Sequence, residues 1–228
     1  MLDRLSKWRP ILGKPIRKLA PEKAIYITFD DGPDPELTPQ VLDLLKEFGA
    51  KATFFVVAKK AAAHPEIIAR IQKEGHAIGN HSLDHSYAPF FKGYSAMLQW
   101  IEESESILKS LNIQSIGFRP PVGIRTPELA AVLRNLNVPL ILWQRRAFDT
   151  VIKFTSRKAS SMAHRSQEGD ILLLHDSQKK SWQKDFIKGL QTLIVQLSKK
   201  GFFLSQIDLN SQPSPHQKIL YLTKKEQT

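Results

Sequence analysis

Short apolar runs alternate along this chain with segments whose apolar positions recur at helical spacing. Ala24–Phe29 is β-branched and aromatic, reads as a buried strand, and runs into Asp30-Asp31-Gly32-Pro33. Thr38-Pro39 predicts a helix start, an N-cap with proline at the first helical position. Val41, Leu42, Leu45 and Phe48 continue that helix and Gly49 ends it. Further strands are predicted at 52–57, 77–78, 116–118, 140–143, 171–174 and 202–204. Between them, helices are predicted from His64-Pro65 to Gly75, over 94–111, from Thr126-Pro127 through Leu136, and over 182–197. Buried strands alternating with helices imply an α/β fold, a parallel sheet covered by helices. Seven such units suffice to close a barrel, in which chemistry gathers where strands end and loops begin. Asp30-Asp31, His81, Arg119, Asp149 and His175-Asp176 all fall at such ends.

Two carboxylates at the end of a buried strand are costly unless a metal, a cation or a proton compensates them. The plain alternative is a solvated turn, which Asp-Asp-Gly-Pro also suits. His81 and His85 are four apart and share a face if the segment is helical. With a carboxylate from another strand end they make a two-histidine, one-carboxylate set that leaves positions open for water. Asp31 is the natural third ligand, which frees Asp30 to take a proton from water, with Arg119 favouring its ionised form. His175 is placed to give a proton to a leaving group. The remaining histidines read as structural or exposed: His64 at a helix start, His76 in a strand, His164 and His216 on the surface.

Four stretches in order, Thr28-Phe29-Asp30-Asp31-Gly32, His81-Ser82-Leu83-Asp84-His85, Arg119-Pro120-Pro121-Val122-Gly123 and Leu173-Leu174-His175, resemble the motifs of the polysaccharide deacetylase family, carbohydrate esterase family 4. The resemblance runs from about Lys23 to Ile207. It implies a distorted, incomplete (β/α) barrel of about seven parallel strands that removes N- or O-acetyl groups from sugars, most often N-acetyl. It also implies one divalent metal, Zn²⁺ first and Co²⁺ or another divalent ion as alternatives, held by Asp31, His81 and His85. Asp30 is then the base, His175 the acid and Arg119 the residue that orients Asp30. Pro121 and the backbone N–H of Val122 border the oxyanion, and Leu173 is the apolar floor under the acetyl methyl. Two positions depart from the family pattern. Val122 stands where an aromatic residue is usual. Arg146-Ala147-Phe148-Asp149-Thr150 replaces a frequent Asp-x-x-Asp-Trp, so Asp149 remains to pair with His175 while a substrate-facing tryptophan is absent.

Charge adds a direction to this reading. Lys and Arg number 33 against 22 Asp and Glu, a net charge of +11, which favours an anionic partner. Two basic groups, Arg145, Arg146, Lys153, Arg157 and Lys158 in one and Lys179, Lys180 and Lys184 in the other, follow strands that border the predicted site. They are either the solvated faces of two helices or the seat of an acetylated carbohydrate that is anionic or lipid-linked, with Arg146 as a substrate contact. Nothing in the sequence resembles a nucleic-acid-reading element. There is no cysteine, which excludes disulfides and thiolate chemistry. At 228 residues the expected organisation is a basic arm over 1–20, a catalytic domain over 21–210 and a polar tail over 211–228. The arm suits packing against the domain or peripheral contact with an anionic membrane. No export signal or membrane span is recognised, so a cytoplasmic monomer, with or without membrane contact, is expected. Two other functions fit the same residues: hydrolysis of a small-molecule amide on this scaffold, and a basic binding protein with a vestigial site.

Overall fold

The computed structural model describes residues 15–19 and 23–209. The arm before residue 15, the tail from 211 and His216 lie outside the described residues. Strand β1, Ala24–Asp30, is buried at every position. It is the centre of the sheet because each of its edges is used. Thr28 to Asp30 pair in parallel with β2, Thr53–Val56. Tyr26 to Asp30 pair in parallel with β5, Ile171–His175, which sets Asp30 beside His175. Ala24 and Ile25 pair with β6, Phe203–Leu204. β2 continues to β3, Ala77–Asn80, and β5 to the two-residue β4, Arg145–Arg146.

The sheet order is β3-β2-β1-β5-β4, with β6 attached to β1. Single bridges carry it further, from Asn80 to Phe118 and from Phe118 to Leu140. The segment from Leu140 to β4 then leads back to β5, so the ring closes through bridges rather than through full strands. The expected strands at 116–118 and 140–143 are thus reduced to bridges, and the regular pairing near the latter lies two residues later. Pairing at the first of them is confined to Phe118, because Gly117 just before it, at a φ of 152°, leaves the strand conformation.

Helices cover the outside: α1 Leu37–Glu47, α2 Ala58–Ala63, α3 Pro65–Lys73, α4 Gly93–Ser110, α5 Pro127–Asn135, α6 Ser156–Arg165 and α7 Lys180–Lys199. Alternation along β1 splits the core into two layers. Ile25, Ile27 and Phe29 face the helices in the larger cluster. Ala24 and Tyr26 face inward, with Phe55, Ile141, Ile171 and Ile207, and plug the barrel below the site. The arm's last part does lie against the domain. Ile16 N donates to Leu140 O (2.8 Å), Leu142 N donates to Ile16 O (2.8 Å), and Arg17 Nη1 donates to Trp143 O (3.1 Å).

α1 starts before the predicted Thr38-Pro39. Asp34 Oδ1 accepts from Glu36 N (2.9 Å) and Leu37 N (2.8 Å), so Asp34 supplies the capping oxygen and Thr38 sits inside the helix. His81 and His85 do not share a helix. A turn with left-handed residues at Ser82 (φ 78°) and His85 (φ 61°) brings them together instead. His76 precedes β3 rather than lying in it.

Candidate active site

The inward residues at the upper ends of β1, β2, β3 and β5 form the site. β1 turns sharply after Asp30: Asp31 is left-handed (φ 73°), and Lys60 Nζ donates to its carbonyl (2.7 Å). Gly32 is required there, since a Cβ would lie 2.3 Å from Asp176 Oδ2. The turn aims Asp31 away from Asp30. Asp31 Oδ1 lies 3.2 Å from His81 Nε2 and 3.1 Å from His85 Nε2. These are the three metal-competent side chains that come together among the described residues.

The hydrogen bonds around the trio show that it fits a cation. His81 Nδ1 donates to the Arg119 carbonyl (2.8 Å), so its Nε2 is the lone-pair nitrogen. Asp31 Oδ1 is buried and has no hydrogen-bond partner of acceptable geometry. A carboxylate oxygen and an imidazole lone pair facing one another repel unless a positive charge lies between them. Asp84, between the histidines, is no ligand. It accepts from the Trp100 indole (3.0 Å) and pairs with Lys59 (3.1 Å), which fixes the turn.

Arg119 is fully buried and organises the other half of the site. Its Nη1 donates to Asp30 Oδ1 (2.6 Å) and Thr28 Oγ1 (2.7 Å), and Nη2 donates to Leu142 O (3.1 Å). Phe55 lies flat beneath the guanidinium at 3.8 Å. Gly79 leaves room for that ring, because a Cβ there would come within 2.4 Å of it. Asp30 is thereby held by one oxygen, and its other oxygen is 3.9 Å from His81 Nε2.

Beside Asp30 on the neighbouring strand, His175 Nδ1 donates to Asp149 Oδ1 (2.7 Å), and His175 N donates to Asp149 Oδ2 (2.8 Å). Burial opposes a charged ring, yet the Asp149 hydrogen bond and charge, with Asp30 and Asp31 nearby, raise the pKa of His175 to about 9. Leu173 is buried on the same face, two residues below His175. Pro121 is buried, whereas Val122 is 60% exposed and left-handed (φ 48°). Arg146 is exposed and stacks on Phe148 with its guanidinium 3.8 Å from the ring.

Two of three supporting residues escaped the sequence reading, and the third, Asp176, was noted at its strand end without a role. Gln178 Nε2 donates to Asp149 Oδ2 (2.9 Å). Asn80 donates to Ser104 Oγ (2.7 Å) and Glu105 Oε1 (2.7 Å) and accepts from Ser82 N (2.7 Å), which shapes the turn to His81. Asp176 accepts from Thr38 Oγ1 (2.6 Å), and burial raises its pKa to about 7. The positions of Asn80 and Asp176, beside His81 and His175 in sequence, were the signal available for two of them.

The model of the family described as polysaccharide deacetylase matches residues 17–141, more than half of the chain. The chain belongs to the polysaccharide deacetylase family. Members are hydrolases of carbon–nitrogen bonds in carbohydrates and depend on a metal, for which this chain has a fitting set of ligands. Among its relatives is a peptidoglycan-N-acetylglucosamine deacetylase of Bacillus cereus, 31% identical over 193 residues, covering 79% of this chain and 84% of the relative. A chitooligosaccharide deacetylase of Azorhizobium caulinodans is 32% identical over 168 residues, covering 73% of this chain and 80% of the relative. The solved structure of the peptidoglycan deacetylase PdaC from Bacillus subtilis superposes with a TM-score of 0.72 at 27% identity, covering 82% of this chain and 88% of that one. The α/β barrel expected from the strand pattern is therefore the family's fold.

Proposed function

We propose that this polysaccharide deacetylase removes the N-acetyl group from an amino sugar of a wall-type or chito-oligosaccharide substrate, with Zn²⁺ as its metal. The observation that carries the reading is the arrangement around Asp31. A buried, unpartnered carboxylate oxygen faces two imidazole nitrogens, with a second carboxylate fixed by a buried arginine on one side and a cationic histidine on the other. The names of the relatives support the sugar, and the donor set of two imidazoles and one carboxylate supports zinc.

Asp31, His81 and His85 would hold the metal, which supplies Lewis-acid polarisation of the acetyl carbonyl and a lower pKa for water. Asp30 takes a proton as the water oxygen adds to the carbonyl carbon. Arg119 keeps that carboxylate in one orientation. The Val122 N–H, on its left-handed turn, donates to the developing oxyanion. His175 delivers its Nε2 proton to the nitrogen as the C–N bond breaks, so a neutral amine and acetate leave. Asp149 holds the ring in the right tautomer and stabilises its charged form. Acetate release tests the reading, measured over acetylated chito-oligosaccharides, peptidoglycan fragments and simple acetamides, with and without added Zn²⁺. Turnover of acetamides in preference to sugars would overturn it in favour of a small-molecule amide hydrolase.

A further inference from the structure

A cavity of about 450 Å³ lies between the segment 143–148 and α6. Its register ties it to the site. Arg146 pairs with Leu173, two residues before His175, and Phe148 directly precedes Asp149. Four cations line it: Arg145, Arg146, Lys158 and Arg165, and no carboxylate does so among the described residues. Arg145 is already neutralised, since its Nε donates to Asp170 Oδ2 (2.7 Å). Arg146 rests on Phe148, and Arg165 Nε donates to the neutral Ser161 carbonyl (3.2 Å). Lys158 is the decisive group. Its Nζ is buried and has no hydrogen-bond partner among the described residues.

Other basic residues near the site are differently placed. Lys180 pairs with Glu36 (2.9 Å) and Lys153 with Asp185 (3.2 Å). Three positive charges without acidic partners among the described residues therefore converge on one concave space. A buried ammonium with no acceptor is unfavourable by itself, and an anion relieves it. Three cations match a group with several oxygens and up to two negative charges better than a single carboxylate. Phe148 and Ile152 give the opening an apolar lip, so the entering molecule bears carbon as well as charge.

We propose that the acetylated carbohydrate carries a phosphoryl group and that this cavity, with Lys158 at its centre, seats it. The inference rests on the carbohydrate deacetylase reading and names the substrate class. Arg146 and Arg165 grip the phosphate from the rim, Lys158 from within, and the sugar is thereby delivered to Asp30 and His175 in one register. A free phosphate shares the same chemistry, so the test separates the two sources.

The test compares a neutral acetylated chito-oligosaccharide with the same oligosaccharide bearing an anomeric phosphate, on the zinc-loaded full chain at low salt. The phosphorylated sugar is expected to show a kcat/KM roughly ten-fold or more higher, the size of a charge-assisted contact. That ratio should fall towards one in a Lys158→Met, Arg165→Met variant and as salt is raised. Calorimetry on Asp30→Asn protein, which spares the substrate, supplies the second arm. The phosphorylated sugar should bind more tightly than either the neutral sugar or inorganic phosphate alone, and the double substitution should remove the difference. A ratio near one in the parent protein, or a ratio the double substitution leaves intact, overturns the proposal. So does inorganic phosphate binding as tightly as the phosphorylated sugar. Acetate release from the neutral sugar reports separately on the underlying deacetylase reading. If no sugar is turned over, that reading fails, while calorimetry still decides the cavity.

Discussion

Adjacent carboxylates with different surroundings divide the labour at the residue scale. Asp31 faces two imidazole nitrogens, while Asp30 is tied to Arg119 at 2.6 Å. His81→Ala is therefore expected to yield protein without bound metal. Asp30→Asn should keep its metal and lose roughly 10²–10⁴-fold in rate, the usual weight of a general base. Metal analysis of the purified variants checks both, and an Asp30→Asn protein empty of metal would reverse the assignment. The pair was legible in the sequence because two charges after an apolar run have few inexpensive explanations. The left-handed turn that points them apart was not, since neither residue type announces a positive φ. Asp149 bears on pH. Against burial, it and the nearby Asp30 and Asp31 raise the pKa of His175 to about 9, so the acid stays protonated above neutrality. Removing that charge in Asp149→Asn lowers the pKa. The alkaline limb of the kcat/KM profile should then move to lower pH, with a drop in maximal rate. An unmoved limb would mean that His175 does not set it.

Elements differ in how plainly their sequences declare them. β1, β2 and β5 are buried on both faces, so unbroken apolar runs identified them. α6 went unread because Ser156–Arg165 is mostly polar and buries just Ala159, Met162 and Ala163. Missing that helix concealed the cavity, because Lys158 and Arg165 lie on it. α2 is six residues long and joins α3 through His64, too short to show a period. The start of α1 was misplaced because Thr38, which suits a cap, uses its hydroxyl on Asp176 while Asp34 does the capping. Contacts between strands are equally hidden from composition. Phe55 of β2 occupies the space above Gly79 of β3 and supports Arg119. Gly79→Ala should push that ring aside and destabilise the fold by about 1–3 kcal/mol, the usual cost of overpacking. It should also slow turnover by disturbing Asp30. Denaturant midpoints and kcat measured together would show both effects, and a change in neither would mean that the ring is not needed there.

For the whole molecule, a buried acid makes stability depend on pH. Asp176 has one oxygen bonded to Thr38 and the other unpartnered among the described residues, and burial raises its pKa to about 7 from 3.8. The folded state thus keeps a proton that the unfolded chain releases, and this residue costs increasing stability as pH rises through that interval. Asp176→Asn keeps an acceptor for Thr38 and has no charge to bury. Its advantage over the parent protein in urea should grow between about pH 4 and about pH 7, by up to a few kcal/mol. A constant difference would show that Asp176 is already ionised at the lower pH. The site also has an uneven depth: Asp30, His81 and Arg119 are almost wholly buried, whereas Val122, Phe148 and Ile152 are about half exposed or more. Inheritance acts differently on the two layers. Changes among the buried groups strike the reaction itself, while the exposed rim can vary with little effect on the fold. Descendants of one ancestral barrel can therefore diverge in the sugars they accept while the bond-breaking apparatus passes down unaltered.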